Sequence, residues 1–183
     1  HTAAETEKIE KAVASGASLS THLGNGAHVK LPRHPNYIWD QLAQEDLYAS
    51  VIADGHHLPY NVLKVFHKVK KEKMFLISDS VAPAGMPPGD YKAAVGGEVT
   101  LTESGRLHLK QEEKLLAGSA TNIWQGVRYL AENNICSWSE AVDKASIIPT
   151  KFLDNKMKND LTVGSSATMV LINRNTKSIE QTI

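Results

Sequence analysis

The 183-residue chain has a single cysteine, Cys136, which excludes an internal disulfide framework. A reducing compartment is the expected setting, with Cys136 packed as a small apolar side chain rather than used as a nucleophile. Charge of one sign is also lacking: Lys and Arg total 20, as do Asp and Glu. Without a net field, nucleic acid and anionic membranes are disfavoured partners, and any anion site must be built locally. No apolar run approaches transmembrane length, and the opening HTAAETEKIEKA does not read as a signal peptide. Repeats and low-complexity linkers are missing too. The expectation is a cytoplasmic globular protein, and 42% hydrophobic with 22% charged residues suits a chain that buries a real core.

Against these absences stands an alternation of elements. Apolar periodicity predicts a helix over Glu5 to Ser15 with Ile9, Ala12 and Val13 inward, closed by Gly16, and then a strand from Ala17 to Thr21. A loop leads to a helix near Tyr37 to Gln44, a strand at Leu47 to Ile52, a helix at Tyr60 to Val69 and a strand at Met74 to Ile77. That helix is expected to bury Val62, Val65, Phe66 and Val69, with the lysines at 64, 68, 70, 71 and 73 forming a solvated end. An αβαβαβ order predicts parallel strands. The rhythm then changes to a β-hairpin, Glu98 to Leu101 with Leu107 to Leu109. Helices follow at Thr121 to Glu132, with Ile123, Val127 and Leu130 inward, and from Ser137, which makes a capping box with Glu140. Pro149 ends the latter or opens a short new turn, and Thr168 to Ile172 and Ser178 to Ile183 read as strands of a small β element.

Three of these strands end on groups able to do chemistry. His22 follows the first, Asp54 with His56 and His57 the second, and Asp79 the third, in KMFLISDSVAPAGMPPGD. Any one of them is ordinarily a turn or cap residue. Their recurrence at successive strand ends suits a divalent metal with a proton shuttle, since neutral imidazole is a good zinc ligand and a carboxylate can accept a proton from water.

The segments THLGNGAH at 21 to 28, IADGHHLP at 52 to 59, LISDSVAPAGMPPGDY at 76 to 91, LLAGSATNIWQGVRYL at 115 to 130 and GSSATMVLINR at 164 to 174, with HTAA at the start, closely resemble one family in order and spacing. This is the N-acetylglucosamine-6-phosphate deacetylases of the amidohydrolase superfamily. The resemblance implies an α/β chain that is the C-terminal half of a metal-dependent-hydrolase (β/α)8 TIM barrel over residues 1–155, with a β-hairpin inserted at about 95–112. Residues 156–183 would be part of a small β-sandwich. A whole barrel needs about 250 residues, so the N-terminal half would be missing, together with a glutamate metal ligand and a carbonyl-polarising histidine. Open sheet edges and an uncovered inner face are then expected.

Carried over by position, the resemblance makes His1 and His22 ligands of a catalytic divalent metal, zinc with iron as the other candidate. Asp79 becomes the general base and acid that takes the proton of the attacking water and returns it to the departing amine. Asn25, Gly26 and Arg33 match phosphate-binding positions, and His57, rather than His56, the substrate-contacting histidine. Structural or exposed roles are expected for His56 and His28. The implied reaction is deacetylation of N-acetylglucosamine 6-phosphate in a homodimer, this chain being a partial enzyme that is inactive alone. Two departures are visible: Gly24 to His28 replace the family's aromatic-Asn-Ala-Met form, and Thr168 stands where an aspartate is common. The alternatives are another amidohydrolase, such as an N-acyl amino acid deacylase, and a non-catalytic fragment or assembly module.

Overall fold

A computed structural model describes residues 2–153, 162–165 and 168–183. His1 and the expected boundary at 155 and 156 lie outside the described residues. Helix α1 (Thr6–Ala14) turns at Ser15 and Gly16, where glycine takes φ +103°, into strand β1 (Leu19–Ser20). Helix α2 (Tyr37–Ala43) is capped by Asn36, whose side chain accepts from the Ile38 and Trp39 N–H groups. Strand β2 (Tyr48–Val51), helix α3 (Tyr60–Lys70), a 3-10 turn at Lys71–Lys73 and strand β3 (Met74–Leu76) follow. The strands form a parallel sheet in the order β1-β2-β3, with Ser20 beside Ala49 and Val51 beside Leu76. Parallel pairing puts all of their carboxyl ends on one edge.

One face of this sheet holds the main core. Ala49, Val51, Met74 and Leu76 meet Leu63 and Phe66 of α3 and Val127 and Leu130 of helix α4 (Ile123–Glu132). Both neighbours of the sheet were expected as helices; α4 buries Val127 and Leu130 as expected, but the buried stripe of α3 is rotated. In α3 the buried positions are Leu63, Phe66 and Lys70, while Val65 and Val69 are 44% and 49% exposed. Ile123, at the start of α4, is also surface-facing. Val62, Leu63, Val65, Phe66 and Val69 form a broad apolar arc, so periodicity alone does not choose which part of it faces the core.

Helix α5 (Trp138–Ala145) has the expected capping box between Ser137 and Glu140, and the short helix α6 (Ile147–Phe152) contains Pro149. The sheet's other face is not bare as expected. Phe152 lies 4.9 Å from Tyr48 and 5.6 Å from Phe75 between ring centroids, and Phe75 is buried.

The hairpin belongs to a larger antiparallel sheet, β4 (Gly89–Ala93), β5 (Gly97–Leu101), β6 (Leu107–Leu109) and β7 (Glu112–Leu116), paired in chain order. Its own small core is Val99, Leu101, Leu107 and Ala117. Strands β8 (Val170–Ile172) and β9 (Ile179–Thr182) pair antiparallel with apolar side chains exposed.

Lys70 is the clearest correction to the expected solvated lysine run, because it is 5% exposed. Its Nζ donates to the carbonyls of Gln44 at 2.6 Å and Leu47 at 2.9 Å, joining the end of α3 to the approach to β2. Burial, then the charge of Lys73, lowers its ammonium to about 8. An unfolded lysine titrates near 10.4. Between these two values the unfolded chain binds a proton that the folded chain does not, so Lys70 makes stability rise with pH across that window; below it the cost of burying the charge is fully present. Urea melts of the parent and Lys70→Met at pH 7.5 and 10 should therefore show the parent gaining on the variant as pH rises. A pH-independent difference would mean that Lys70 stays charged throughout.

Candidate functional site

The carboxyl edge of the parallel sheet carries the strand-end residues together. His22, two residues past the end of β1, has φ +35°, and its N–H donates to Ser50 Oγ at 2.9 Å, tying the first strand end to the second strand. Leu23 N–H reaches the Ser50 carbonyl at 2.9 Å, and Ile77 N–H the Val51 carbonyl at 3.0 Å. Asp79 follows on an exposed turn with φ +49°. Positive φ disfavours most side-chain-bearing residues but is tolerated by Asp, Asn and His. Both turns thus carry residues whose types suit the bend.

Beyond Asp79 the edge is extended by the segment that leads into α4. Ser80 pairs with Ser119 as a parallel bridge, Val81 N–H donates to the Ser119 carbonyl at 3.0 Å, and Ser80 Oγ donates to the Thr121 carbonyl at 2.5 Å. Gly118 has φ +105°, and a Cβ there would lie 2.7 Å from Val81 Cγ1, so only glycine permits this approach. A cleft of about 420 Å³ opens beside it, lined by Ser80, Met86, Glu103, Thr121, Asn122 and Gln125.

The loop after His22 begins with a turn in which Asn25 N–H meets the His22 carbonyl at 2.8 Å. Gly24, at φ +87°, packs so closely that a Cβ would sit 3.0 Å from Leu58 Cδ2. A side chain there would be strained at that φ and would press on Leu58 and Phe66. His22, Asn25 and Gly26 share a recess of about 30 Å³, room for about one water and not for a sugar. Arg33 is exposed farther along the loop. His28 pins this loop, its N–H donating to Tyr37 Oη at 2.8 Å and its Nδ1 lying 2.9 Å from the same oxygen.

At the end of β2 the structure assigns a partner that sequence reasoning left without a role. Asp54 Oδ1 accepts the N–H groups of His56 and His57 at 2.8 and 2.9 Å, and Oδ2 lies 2.7 Å from His57 Nδ1. The two side chains are only 2% and 4% exposed. Burial alone would raise the Asp54 carboxyl, but its hydrogen bonds from His57 outweigh that and hold it below the usual carboxylate range. The signal was present as the i, i+3 spacing of an aspartate and a histidine in a glycine-containing turn. His56 Nε2 lies 3.2 Å from the Ser104 carbonyl, linking this turn to the β5–β6 connection.

Among the described residues, no three His, Cys, Asp or Glu side chains gather closely enough to hold a metal. His22 offers one imidazole, and a complete ligand set needs groups from outside these residues. Cys136 is half-buried, and burial pushes its thiol up to about 11, which leaves it protonated at neutral pH and chemically quiet. No helix among the described residues is long and apolar enough to cross a membrane.

No protein-family model matches the chain. Individual proteins do. The N-acetylgalactosamine-6-phosphate deacetylase of Shewanella sp. (strain ANA-3) is 30% identical over 171 residues, 93% of this chain and 42% of its own length. The N-acetylglucosamine-6-phosphate deacetylase of Bacillus subtilis (strain 168) is 32% identical over 174 residues, 94% of this chain and 43% of its own. Among solved structures, the N-acetylglucosamine-6-phosphate deacetylase of Thermotoga maritima superimposes with a TM-score of 0.83 at 26% identity, covering 99% of this chain and 49% of that one. The enzyme of the same name from Pasteurella multocida shares the fold, with a TM-score of 0.84 at 22% identity and 46% of its length covered. The chain spans about half the length of the curated relatives it matches. Over nearly all of its 183 residues, then, the chain is similar to amino-sugar 6-phosphate deacetylases, of which it matches a little under half of the length.

Proposed function

We propose that this chain supplies the C-terminal half of an amino-sugar 6-phosphate deacetylase, a barrel half over residues 1–155 joined to part of a small β-sandwich. The observation that supports it is the alignment of His22, Asp54 with His57, and Asp79 along one edge of a parallel sheet, within a chain similar to those enzymes throughout. In a (β/α) barrel that edge carries the catalytic loops. The missing N-terminal half would close the sheet and cover the exposed apolar side chains of β8 and β9.

In this mechanism His22, with His1 and a ligand from the absent half, would hold a divalent cation, zinc or iron, whose chemistry is to acidify water at neutral pH. Because the described residues do not complete that site, the steps that follow are those of the chain's own groups. Asp79, exposed at its strand end, accepts the proton of the water that attacks the acetamide carbonyl. It then returns the proton to the sugar nitrogen as the C–N bond breaks, so that the amine leaves neutral and the other product is acetic acid, which ionises to acetate by giving its proton to the amine or to solvent. Asn25 and the Gly26 backbone would meet the 6-phosphate, Arg33 would add a planar donor fork, in its own subunit or across a homodimer, and His57 would contact the sugar.

A second substrate is favoured by a specific observation: the Shewanella relative acts, by its name, on the galactosamine epimer. The test combines the 183-residue chain with the N-terminal half of a relative, supplies zinc, and measures acetate release from both N-acetylhexosamine 6-phosphates. Activity is expected only in the combined sample. Full activity of the chain alone would overturn the role given to the missing half, and none in either sample, with assembly verified, would overturn the deacetylase assignment.

A further inference from the structure

We propose that Asp54 is the positioning residue for His57, its carboxylate holding the imidazole as the Nδ1–H tautomer so that Nε2 is presented as a hydrogen-bond acceptor to a hydroxyl of the bound sugar. The sugar part rests on the deacetylase reading; the pairing does not. A carboxylate has no proton to offer, so at 2.7 Å it requires Nδ1 to be the donor. In the neutral ring this leaves the lone pair on Nε2. No hydrogen bond occupies Nε2 among the described residues.

Three features keep the ring from turning. Asp54 holds the His57 backbone N–H at 2.9 Å as well as the ring, so one group sets both ends of the side chain. Gly55, between them, has φ +79° and lies under Tyr129 of α4, where a Cβ would come within 2.7 Å of the ring. His56 Nε2, 3.2 Å from the Ser104 carbonyl, anchors the turn to the antiparallel sheet. An acceptor nitrogen attracts a hydroxyl proton and repels phosphate oxygens. His57 thereby recognises the sugar ring rather than the phosphate, which is left to the loop at 25 to 33.

The test reads the tautomer directly. Long-range proton–nitrogen NMR of the ¹⁵N-histidine-labelled 183-residue chain near neutral pH resolves it, the His57 signals being identified among the eight histidines by their loss in His57→Gln. A neutral ring with the proton on Nδ1 is expected. A proton on Nε2, or an imidazolium with both, would overturn the proposal. Asp54→Asn keeps the Oδ1 acceptor for the two backbone N–H groups but turns a donor toward Nδ1, so His57 should change to the Nε2–H form. In the completed enzyme the same variant should raise KM by about 10- to 100-fold, the loss of a hydrogen bond to a charged or fixed partner, with kcat changed far less. An unchanged tautomer, or kcat falling with KM constant, would overturn it. If Asp54→Asn fails to fold, the unmutated spectrum still decides. Absence of turnover in the completed enzyme would overturn only the sugar assignment, because the tautomer is measured without substrate.

Discussion

Asp79→Asn is expected to lower kcat by about 100- to 10,000-fold in the completed enzyme while leaving KM nearly unchanged, the range that a positioned general acid–base group contributes. The substitution isolates proton transfer. Asp79 is exposed, so little packing depends on it, and its φ of +49° is one that asparagine also accepts. The amide keeps the shape and an acceptor oxygen but cannot take up the water's proton. Alanine would be a poorer probe, since it adds backbone strain at positive φ. Steady-state kinetics on N-acetylglucosamine 6-phosphate, with a thermal melt to confirm unchanged stability, decides the matter. Near-normal turnover would remove Asp79 from the chemistry.

For Arg33→Ala the expected loss is in binding: KM for the phosphorylated sugar should rise about 10- to 150-fold, as a charge-assisted bidentate contact is removed. KM for the unphosphorylated sugar should hardly move. Arg33 is exposed on a loop whose conformation is held elsewhere, by His28 on Tyr37 and by Asn36 Nδ2 donating to the Pro32 carbonyl at 3.2 Å. Equal losses for both sugars, or a lowered melting temperature, would show that Arg33 supports the loop rather than selects phosphate. Mixing Arg33→Ala subunits with Asp79→Asn subunits asks a further question: recovered activity in the mixture is expected if the arginine serves a neighbouring subunit's site.

Much of the local structure was readable because separate signals agreed. The β2 and β3 cores, Ala49 to Val51 and Met74 to Leu76, are short apolar runs bounded by turns, and their helices begin at Pro-Tyr or at side-chain caps. The Ser137 and Glu140 capping box was correctly placed because both partners are local. Where the expectation failed, local information was ambiguous. Strand β7, Glu112–Leu116, is mostly charged and exposed, and β4 begins at glycine; such edge strands exist by pairing rather than by an apolar pattern. The burial of Lys70 was hidden for the same reason. A lysine near a helix end reads as solvated unless one knows that two carbonyls of another segment, Gln44 and Leu47, wait within reach.

The amino-acid sequence by itself determined the alternation of helix and strand, the exclusion of a disulfide framework, and the presence of His22, Asp54, His57 and Asp79 after strands. These follow from composition, periodicity and turn chemistry, which act over a few residues. Only the tertiary structure decided that these ends share one edge, because parallel register joins residues far apart in the chain, as in Ser20 beside Ala49 and Val51 beside Leu76. It also decided that Asp54 is spent on His57 rather than on solvent or a metal. That choice depends on burial and on a 2.7 Å contact, and a desolvated carboxylate must take the donor that the fold brings to it.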